Sequence, residues 1–179
     1  MSLSIAHKRI QPSLTDTVTN TSTATAHAKT ISVPAYTLRA GDKFEGVARV
    51  TNTTTNGSNT FLHQVYLGPS SAPATGILLA ESTALDGTDG DVCTLKFDFE
   101  VTTIGAGSTA AFTGGGLAYY NAGTTPSKSR SYARATDAQV STFADLVIAV
   151  VTTQSAASTS NISRLDQLDV VVHPSNPSE

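Results

Sequence analysis

Residues 95–102 alternate strictly between apolar and polar side chains. The apolar positions are Leu95, Phe97, Phe99 and Val101, and the polar ones are Lys96, Asp98, Glu100 and Thr102. A period of two that persists over this length predicts a β-strand with one face in a core and the other in water. A strand of this kind needs a sheet around it, so the segment constrains the whole chain towards a β fold.

Several other segments have the short apolar runs of strands, separated by turn-forming residues. We predict strands over 43–51, 61–67, 77–80, 109–120 and 146–151, and a last one within 161–172. No convincing helix is predicted, although 137–143 has the composition for a single helical turn. About seven or eight strands with such spacing predict an all-β fold, an antiparallel two-sheet β-sandwich. A jelly roll is favoured, and an immunoglobulin-like topology stays open because one sequence does not reveal strand order.

The chain divides into three parts by composition. Residues 1–30 are polar and threonine-rich and predict an extended N-terminal arm, in which 17–25 could add a strand to a sheet edge of its own or of a neighbour. A disordered tail is the alternative for this part. Residues 31–173 form the predicted sandwich domain, and 174–179 form a C-terminal tail.

Charge and hydropathy argue against two classes of partner. The chain of 179 residues has a net charge of -3, whereas nucleic-acid binding relies on lysine and arginine neutralising phosphates. The densest basic stretch, Lys128, Arg130 and Arg134, is interpreted as a solvated loop. No apolar run approaches the roughly 18 residues of a membrane span. We therefore expect neither nucleic acid nor membrane as a partner, and folding in a cytoplasm.

The residue types that usually carry chemistry do not form catalytic patterns. His7, His27, His63 and His173 are far apart and lack metal-ligand spacing, and Cys93 is the single cysteine. His63 is expected to be a hydrogen-bonded histidine of the core or of a hairpin, and Cys93 a small core residue. Glu81, Asp98 and Glu100 are the candidates for a carboxylate pair, but a solvated strand face explains the last two. From the sequence we therefore predict that the protein is not an enzyme and that it has no catalytic residue and no cofactor.

Three acidic residues on a glycine-bearing loop are the one local cluster with metal-binding potential. Asp86, Asp89 and Asp91 could wrap a hard cation such as calcium. The EF-hand pattern is only partly met, because Phe97 stands where that loop needs a glutamate. A plain polar loop is the preferred interpretation, no metal site is assigned, and cation binding there stays open.

A resemblance adds to this interpretation. The phrases that carry it are Asn20-Thr21-Ser22-Thr23, Ile31-Ser32-Val33-Pro34-Ala35, Leu38-Arg39-Ala40-Gly41-Asp42, Thr102-Thr103-Ile104-Gly105-Ala106 and Leu168-Asp169-Val170-Val171-Val172. Over residues 14–172 the chain resembles the small β-sandwich virion proteins of tailed bacteriophages, the group that includes capsid decoration (cement) proteins. The shared phrases are polar or glycine-bearing, and none is a catalytic signature.

The resemblance implies a non-enzymatic structural protein of the virion. A decoration protein binds the outer capsid surface as a multimer, often a trimer, and stabilises contacts between subunits of the major capsid protein. By this resemblance the chain is made in the host cytoplasm and ends on the capsid surface as a homo-oligomer. Residues 1–30, the tip at 53–59 and the loop at 121–138 are then the expected contact segments.

The alternative is a recognition module of a tail fibre, tail tip or head fibre that binds host-surface glycans. Tyr119, Tyr120 and Tyr132 are its candidate stacking residues. Because Tyr119 and Tyr120 are adjacent in a predicted strand, they point to opposite faces and one of them is expected in the core. Tyr132 is therefore the residue that this alternative would test first.

Overall fold

The computed structural model describes residues 7–10, 16–54, 59–86, 89–121 and 128–175. They form thirteen strands: β1 His7–Ile10, β2 Thr17–Thr19, β3 Thr25–Ala26, β4 Ile31–Val33, β5 Lys43–Thr54, β6 Thr60–Pro69, β7 Ile77–Glu81, β8 Leu85–Asp86, β9 Asp91–Thr103, β10 Ala111–Tyr120, β11 Lys128–Ala135, β12 Leu146–Gln154 and β13 Ile162–His173. All pairings are antiparallel. The predicted all-β, two-sheet sandwich is confirmed.

The two sheets differ in size. The large sheet has the order β1-β13-β5-β9-β10-β11, with β2 also on β13, and the small sheet has the order β3-β12-β6-β7, with β4 on β12 and β8 on β6. Long strands near the two ends of the domain pair with each other, β5 with β13 and β6 with β12. This nesting is that of a hairpin rolled up into a sandwich. Strand β9 in addition pairs with β5, a contact that the sequence did not reveal.

The core lies between the sheets and is built by the alternation seen in the sequence. Phe97 and Phe99 of β9 are 4% and 2% exposed, whereas Asp98 between them is exposed. Phe99 stacks on Phe44 of β5 at a centroid distance of 4.5 Å and meets Phe112 of β10 edge-on. The predicted strand over 95–102 is confirmed, with the predicted face inward.

Within the described residues, the predicted N-terminal arm lies along the sandwich instead of projecting from it. Strand β2 pairs with β13 of the large sheet, and β3 and β4 pair with β12 of the small sheet. Segment 16–33 therefore covers one edge of each sheet. The physical reason is that Val18, Ile31 and Val33 are buried, so the segment contributes apolar area as well as edge hydrogen bonds.

Two loop predictions are wrong. Part of the irregular excursion expected at 121–138 is a regular strand, β11, because an edge of β10 is available to pair with it. The helical turn considered at 137–143 is a series of turns, and the described short 3₁₀ helices are Pro73–Thr75 and Gly107–Thr109. Of the polar tip at 53–59, positions 55–58 lie outside the described residues, as do 122–127.

The glycine triplet in β10 explains how closely the two sheets approach. A Cβ on Gly116 would lie 2.3 Å from the backbone oxygen of Leu79 in the small sheet. Gly115 pairs with Asp98 and Ser131, whose side chains are exposed, so it faces the outside of the large sheet. The expected close backbone approach is thus confirmed at Gly116, and Gly115 leaves the outer face without a side chain.

Candidate functional site

The three carboxylates considered for a catalytic pair are divided between the two sheets. Asp98 and Glu100 are on the outer face of the large sheet, while Glu81 lies on the small sheet, where it accepts a hydrogen bond from Gln64 and pairs with Lys128. In the ranges that the structure describes, no group of three histidine, cysteine or acidic residues could hold a metal ion. Asp89 and Asp91 are at the turn into β9 and at its start. The side chain of Asp86 is outside the described part.

Two histidines that are distant in sequence meet inside the sandwich. Thr152 Oγ1 lies 3.2 Å from Nε2 of His27 and 3.0 Å from Nδ1 of His63. His63 Nε2 continues the chain to Asn52 Oδ1 at 3.1 Å. At the other end, Nδ1 of His27 lies 3.4 Å from Oδ1 of Asp16. All five side chains are buried, so this row of polar groups joins the strands of both sheets and does not face a substrate.

Burial and hydrogen bonds shift the pKa values of His63 and Asp16 in this row. Burial lowers the pKa of His63 to about 3, assisted by the charge of His27. Burial raises the pKa of the Asp16 carboxyl, but hydrogen bonds from His27, Lys29 and Ala28 and the charge of His27 outweigh it, so the net shift is downward. His63 is therefore neutral and Asp16 ionised near neutral pH. The expectation that His63 is a hydrogen-bonded core histidine is confirmed.

Burial also shifts the pKa values of the single cysteine and of one of the paired tyrosines. Burial raises the pKa of the Cys93 thiol to about 12, although hydrogen bonds with Tyr120 and Ser82 oppose the shift. Burial also raises the pKa of Tyr120. Cys93 is a core residue, as predicted. Tyr120 is the inward-facing member of its pair and Tyr119 the outward-facing one; of the Tyr132 side chain nothing is described.

An aromatic pair is exposed at one end of the sandwich, and we call it the aromatic platform. The rings of Tyr36 and Phe143 stack with their centroids 5.6 Å apart and their planes 17° from parallel. Tyr36 is 74% exposed and Phe143 42% exposed. Tyr36 has φ 60°, a left-handed conformation that disfavours a bulky side chain by roughly 1–2 kcal/mol. An exposed aromatic residue thus occupies a strained backbone position.

Hydrogen bonds hold the platform in place. The backbone N–H of Tyr36 donates to the carbonyl of Thr142, and the N–H of Ala35 donates to Asp145 Oδ1 at 2.8 Å. Thr142 also binds Gly105, because its hydroxyl accepts from the Gly105 N–H at 2.9 Å and its own N–H donates to the Gly105 carbonyl. Three loops, 34–42, 104–110 and 136–145, are thereby braced together at this end, with the rings on top.

A depression on the outer face of the large sheet starts near the same end, and we call it the outer trough. Its main part has a volume of about 680 Å³ and lies over β5, β9 and β10, with Asp169 and Val171 of β13 at one side. A second part of about 500 Å³ continues it towards Lys43, Glu100 and Thr113. The two parts share Glu45, Asp98 and Gly115. Both volumes are within the range of about 300–1,000 Å³ that is typical of small-molecule sites.

The trough combines charged walls with apolar patches. Lys43 lies 3.5 Å from Glu100, and His173 lies 3.8 Å from Glu45. Lys96 stands over the ring of Tyr119 at 5.9 Å. The apolar contributions come from Val47, Val171 and Leu117. The lining thus offers hydrogen-bond donors and acceptors beside apolar surface, as polyhydroxylated ligands need.

Sequence reasoning missed the platform and the buried row. The signal for the platform was present in the turn sequence Val33-Pro34-Ala35-Tyr36-Thr37, where a proline-initiated turn favours glycine two positions later and the chain has tyrosine. The buried row had a weaker signal. His63 shared a predicted inward face with Phe61 and Val65, but nothing in the spacing placed His27 next to it.

The class of this protein is a two-sheet antiparallel β-sandwich with a braced loop end and an open outer face. No protein-family model and no curated protein matches the chain. In the described part, no helix is long and apolar enough to cross a membrane.

Solved structures whose backbone path partly resembles that of this protein include two plant lectins and a glucanase. Peanut lectin has a TM-score of 0.48 at 8% identity, covering 96% of this chain and 94% of its own. Lectin II from Ulex europaeus has a TM-score of 0.46 at 8% identity, and the alignment covers 94% of this chain and 98% of the lectin. The endo-1,3-β-glucanase from Streptomyces sioyaensis has a TM-score of 0.36 at 13% identity, and the alignment covers 84% of this chain and 69% of the glucanase. At these low values the likeness does not extend to family, ligand or activity.

Proposed function

We propose that this protein is a non-enzymatic recognition module that binds glycans through the aromatic platform, as the glycan-binding module of a phage fibre or tail tip does. The single observation that carries the proposal is Tyr36, whose ring is exposed in spite of a strained backbone. Strain of this kind is concentrated at binding and catalytic positions, where the surrounding structure compensates for it. The bracing through Thr142 and Asp145 supplies that compensation.

The stacked rings suit a sugar better than an ion or a peptide strand. A pyranose ring has an apolar face of C–H groups that packs on the face of an aromatic ring, while its hydroxyls need polar neighbours. Phe143 supports one side of the platform, and the carboxylate of Asp145 and the hydroxyl of Thr37 lie in the same two loops. The rings also lose little conformational entropy on binding, because the stack and the braced backbone already fix them.

We propose a role without catalysis because of the positions of the side chains that could react. Cys93 and His63 are buried away from solvent; the raised pKa of Cys93 keeps its thiol protonated near neutral pH, and the lowered pKa of His63 makes its imidazole a weak base. Asp98 and Glu100 face solvent on one strand, where hydrogen bonding to a bound sugar is a sufficient role.

A glycan array with the purified chain tests the proposal. We expect binding to a restricted set of glycans, and loss of at least about tenfold in affinity, about 1.4 kcal/mol, for Tyr36→Ala against the best ligand. Tyr66→Ala is the matched control, because Tyr66 lies on β6 of the small sheet, away from both the platform and the outer trough. An array without hits, or a Tyr36→Ala variant that binds as the original protein does, would contradict the proposal.

Attachment to a phage capsid is the second candidate function. The resemblance to decoration proteins supports it, as does the exposed apolar end, where Ile104 is 47% exposed beside the platform loops. Exposed apolar surface of this kind also marks protein contacts. In this candidate the partner is the major capsid protein, the chain is a homotrimer on the outside of the virion, and the loop end docks between capsid subunits.

Co-sedimentation with empty phage heads and, separately, with tails distinguishes the two candidates. Recovery in many copies on heads would support decoration. Recovery with tails alone, together with hits on the glycan array, would support recognition. An Ile104→Ser variant should weaken capsid attachment more than monosaccharide binding, whereas Tyr36→Ala should do the reverse.

A further inference from the structure

We propose that the outer trough binds further units of an uncharged oligosaccharide whose end sits on the aromatic platform. The inference rests on the proposed function, since it deepens glycan recognition from a single sugar to a chain. It is argued from the position of the trough, its shape and its charges.

The trough and the platform open towards the same end of the molecule. Lys43, at the nearer end of the trough, begins β5 directly after the loop that carries Tyr36. Ile104 follows β9, the strand that carries Glu100, and its neighbour Gly105 is hydrogen-bonded to Thr142 next to Phe143. A ligand that leaves the platform across Ile104 therefore reaches the start of the trough.

The shape of the trough fits an extended ligand. It follows β5 from Lys43 to Val47, four residue steps or about 14 Å at about 3.4 Å per residue, which exceeds the length of one sugar ring. The missing side chain at Gly115 keeps its middle open, and Leu117 and Val47 provide apolar surface further along.

The charges select against acidic polysaccharides. Carboxylates of Glu45, Asp98, Asp169 and Glu100 line the trough, against the ammonium groups of Lys43 and Lys96. Lys43 is already paired with Glu100. A chain of uronic acids or sulfated sugars would be repelled, whereas hydroxyls of a neutral chain can donate to Glu45 and accept from Lys96.

Titration calorimetry with a homologous series of the neutral sugar that the array identifies, from monosaccharide to hexasaccharide, tests the inference. We expect the affinity to rise roughly tenfold or more from the monosaccharide to the tetrasaccharide, and then to level off. Heparin and polygalacturonate serve as acidic comparators and should bind more weakly than the neutral chain. Equal affinity along the series, or tighter binding of the acidic polymers, overturns the inference and leaves the platform proposal intact.

Filling the trough provides the second readout. Gly115→Trp should abolish the increase in affinity with oligosaccharide length and leave the affinity for the monosaccharide unchanged. Gly115→Ser, a small matched control, should keep most of that increase. Thermal melting of each variant shows whether it is folded. If Gly115→Trp does not fold, Leu117→Trp blocks the same face from an exposed position. If the blocked variant still binds longer oligosaccharides more tightly, the outer trough is not the site that binds them. A glycan array without hits overturns both the platform proposal and the trough proposal.

Discussion

Tyr36 stacks on Phe143 while its own backbone has a positive φ, so the exposed ring and the strained turn belong to one residue. Glycine relieves such strain without a steric penalty. We predict that Tyr36→Gly leaves the free energy of unfolding within about 1 kcal/mol of the original, because relief of about 1–2 kcal/mol offsets the lost stack and the added chain entropy.

Glycan affinity should nevertheless be lost in Tyr36→Gly. Urea denaturation together with calorimetric binding measures both quantities on the same sample. Phe143→Ala is the informative companion, since it removes the supporting ring without touching the strained turn. A large loss of stability in Tyr36→Gly would mean that the ring is a structural element of the loop end and not a recognition element.

His63 makes the stability of this protein depend on pH. Its pKa is about 3 in the fold and near 6.5 in an unfolded chain, so between these values only the unfolded chain takes up the proton. Stability is therefore complete above about pH 6.5 and falls as the pH drops towards 3, by up to about 1.4 kcal/mol per pH unit from this group. From pH 7 to about pH 5 the loss should be about 2 kcal/mol.

Urea unfolding across that range provides the measurement. His63→Gln should flatten the pH dependence, because glutamine does not titrate, while Phe61→Leu, at a buried neighbour without a titratable group, should lower stability and leave the slope as it was. If the stability of the unsubstituted protein does not change between pH 7 and about pH 5, His63 is not buried in a neutral state.

Asp16 fastens the N-terminal segment to the sandwich. Its two carboxylate oxygens accept from the N–H groups of Ala28 and Lys29, each at 2.9 Å. We predict that Asp16→Asn lowers stability by about 1–3 kcal/mol, because an amide replaces one of these acceptors by a donor. Since the native pKa of Asp16 is lowered, its contribution is present above about pH 4 and is lost as the pH falls below 3.8.

Amide hydrogen exchange localises this effect. In Asp16→Asn the N–H groups of Ala28, Lys29 and His27 should exchange faster, with the centre of β9 unchanged. Asp137→Asn is the matched control, because the Asp137 side chain accepts a hydrogen bond from the N–H of Gln139 in an exposed loop. Uniform acceleration over the whole chain would show that the segment does not open separately.

The glycine triplet gives a paired test of the sheet packing. Gly116→Ala places a Cβ 2.3 Å from the Leu79 carbonyl oxygen and 2.8 Å from the Ala80 Cβ, so one sheet must shift. We expect a destabilisation of about 1–3 kcal/mol. Gly115→Ala, one residue away and facing outward, should change stability by less than about 0.5 kcal/mol. Similar melting temperatures for the two variants would contradict the close approach of the sheets at Gly116.

The sequence predicted the features that depend on local periodicity. The alternation over 95–102, the inward face shared by Phe61, His63 and Val65, and the burial of one member of the Tyr119 and Tyr120 pair all appear in the fold. Each follows from the period of two along a single strand, which needs no knowledge of partner strands.

Features that depend on contacts between distant segments were not predicted. The row from Asp16 to Asn52 joins residues of separate strands through Thr152, and the platform forms only because two loops meet through the bond between Tyr36 and Thr142. Strand β11 was missed for the same reason. Its sequence is polar, and the free edge of β10 rather than its own propensity makes it a strand.

The covered edges have a consequence for how this protein should be handled. Strands β1 and β2 occupy the outer edge of β13, and β3 and β4 occupy that of β12, so removal of residues 1–33 by a protease would uncover the backbone of two long strands at once. Bare strands of this length are templates for further strand addition. A clipped preparation should therefore polymerise into fibrils at concentrations where the intact chain stays dispersed, and turbidity or thioflavin fluorescence would reveal the damage before any change in binding does.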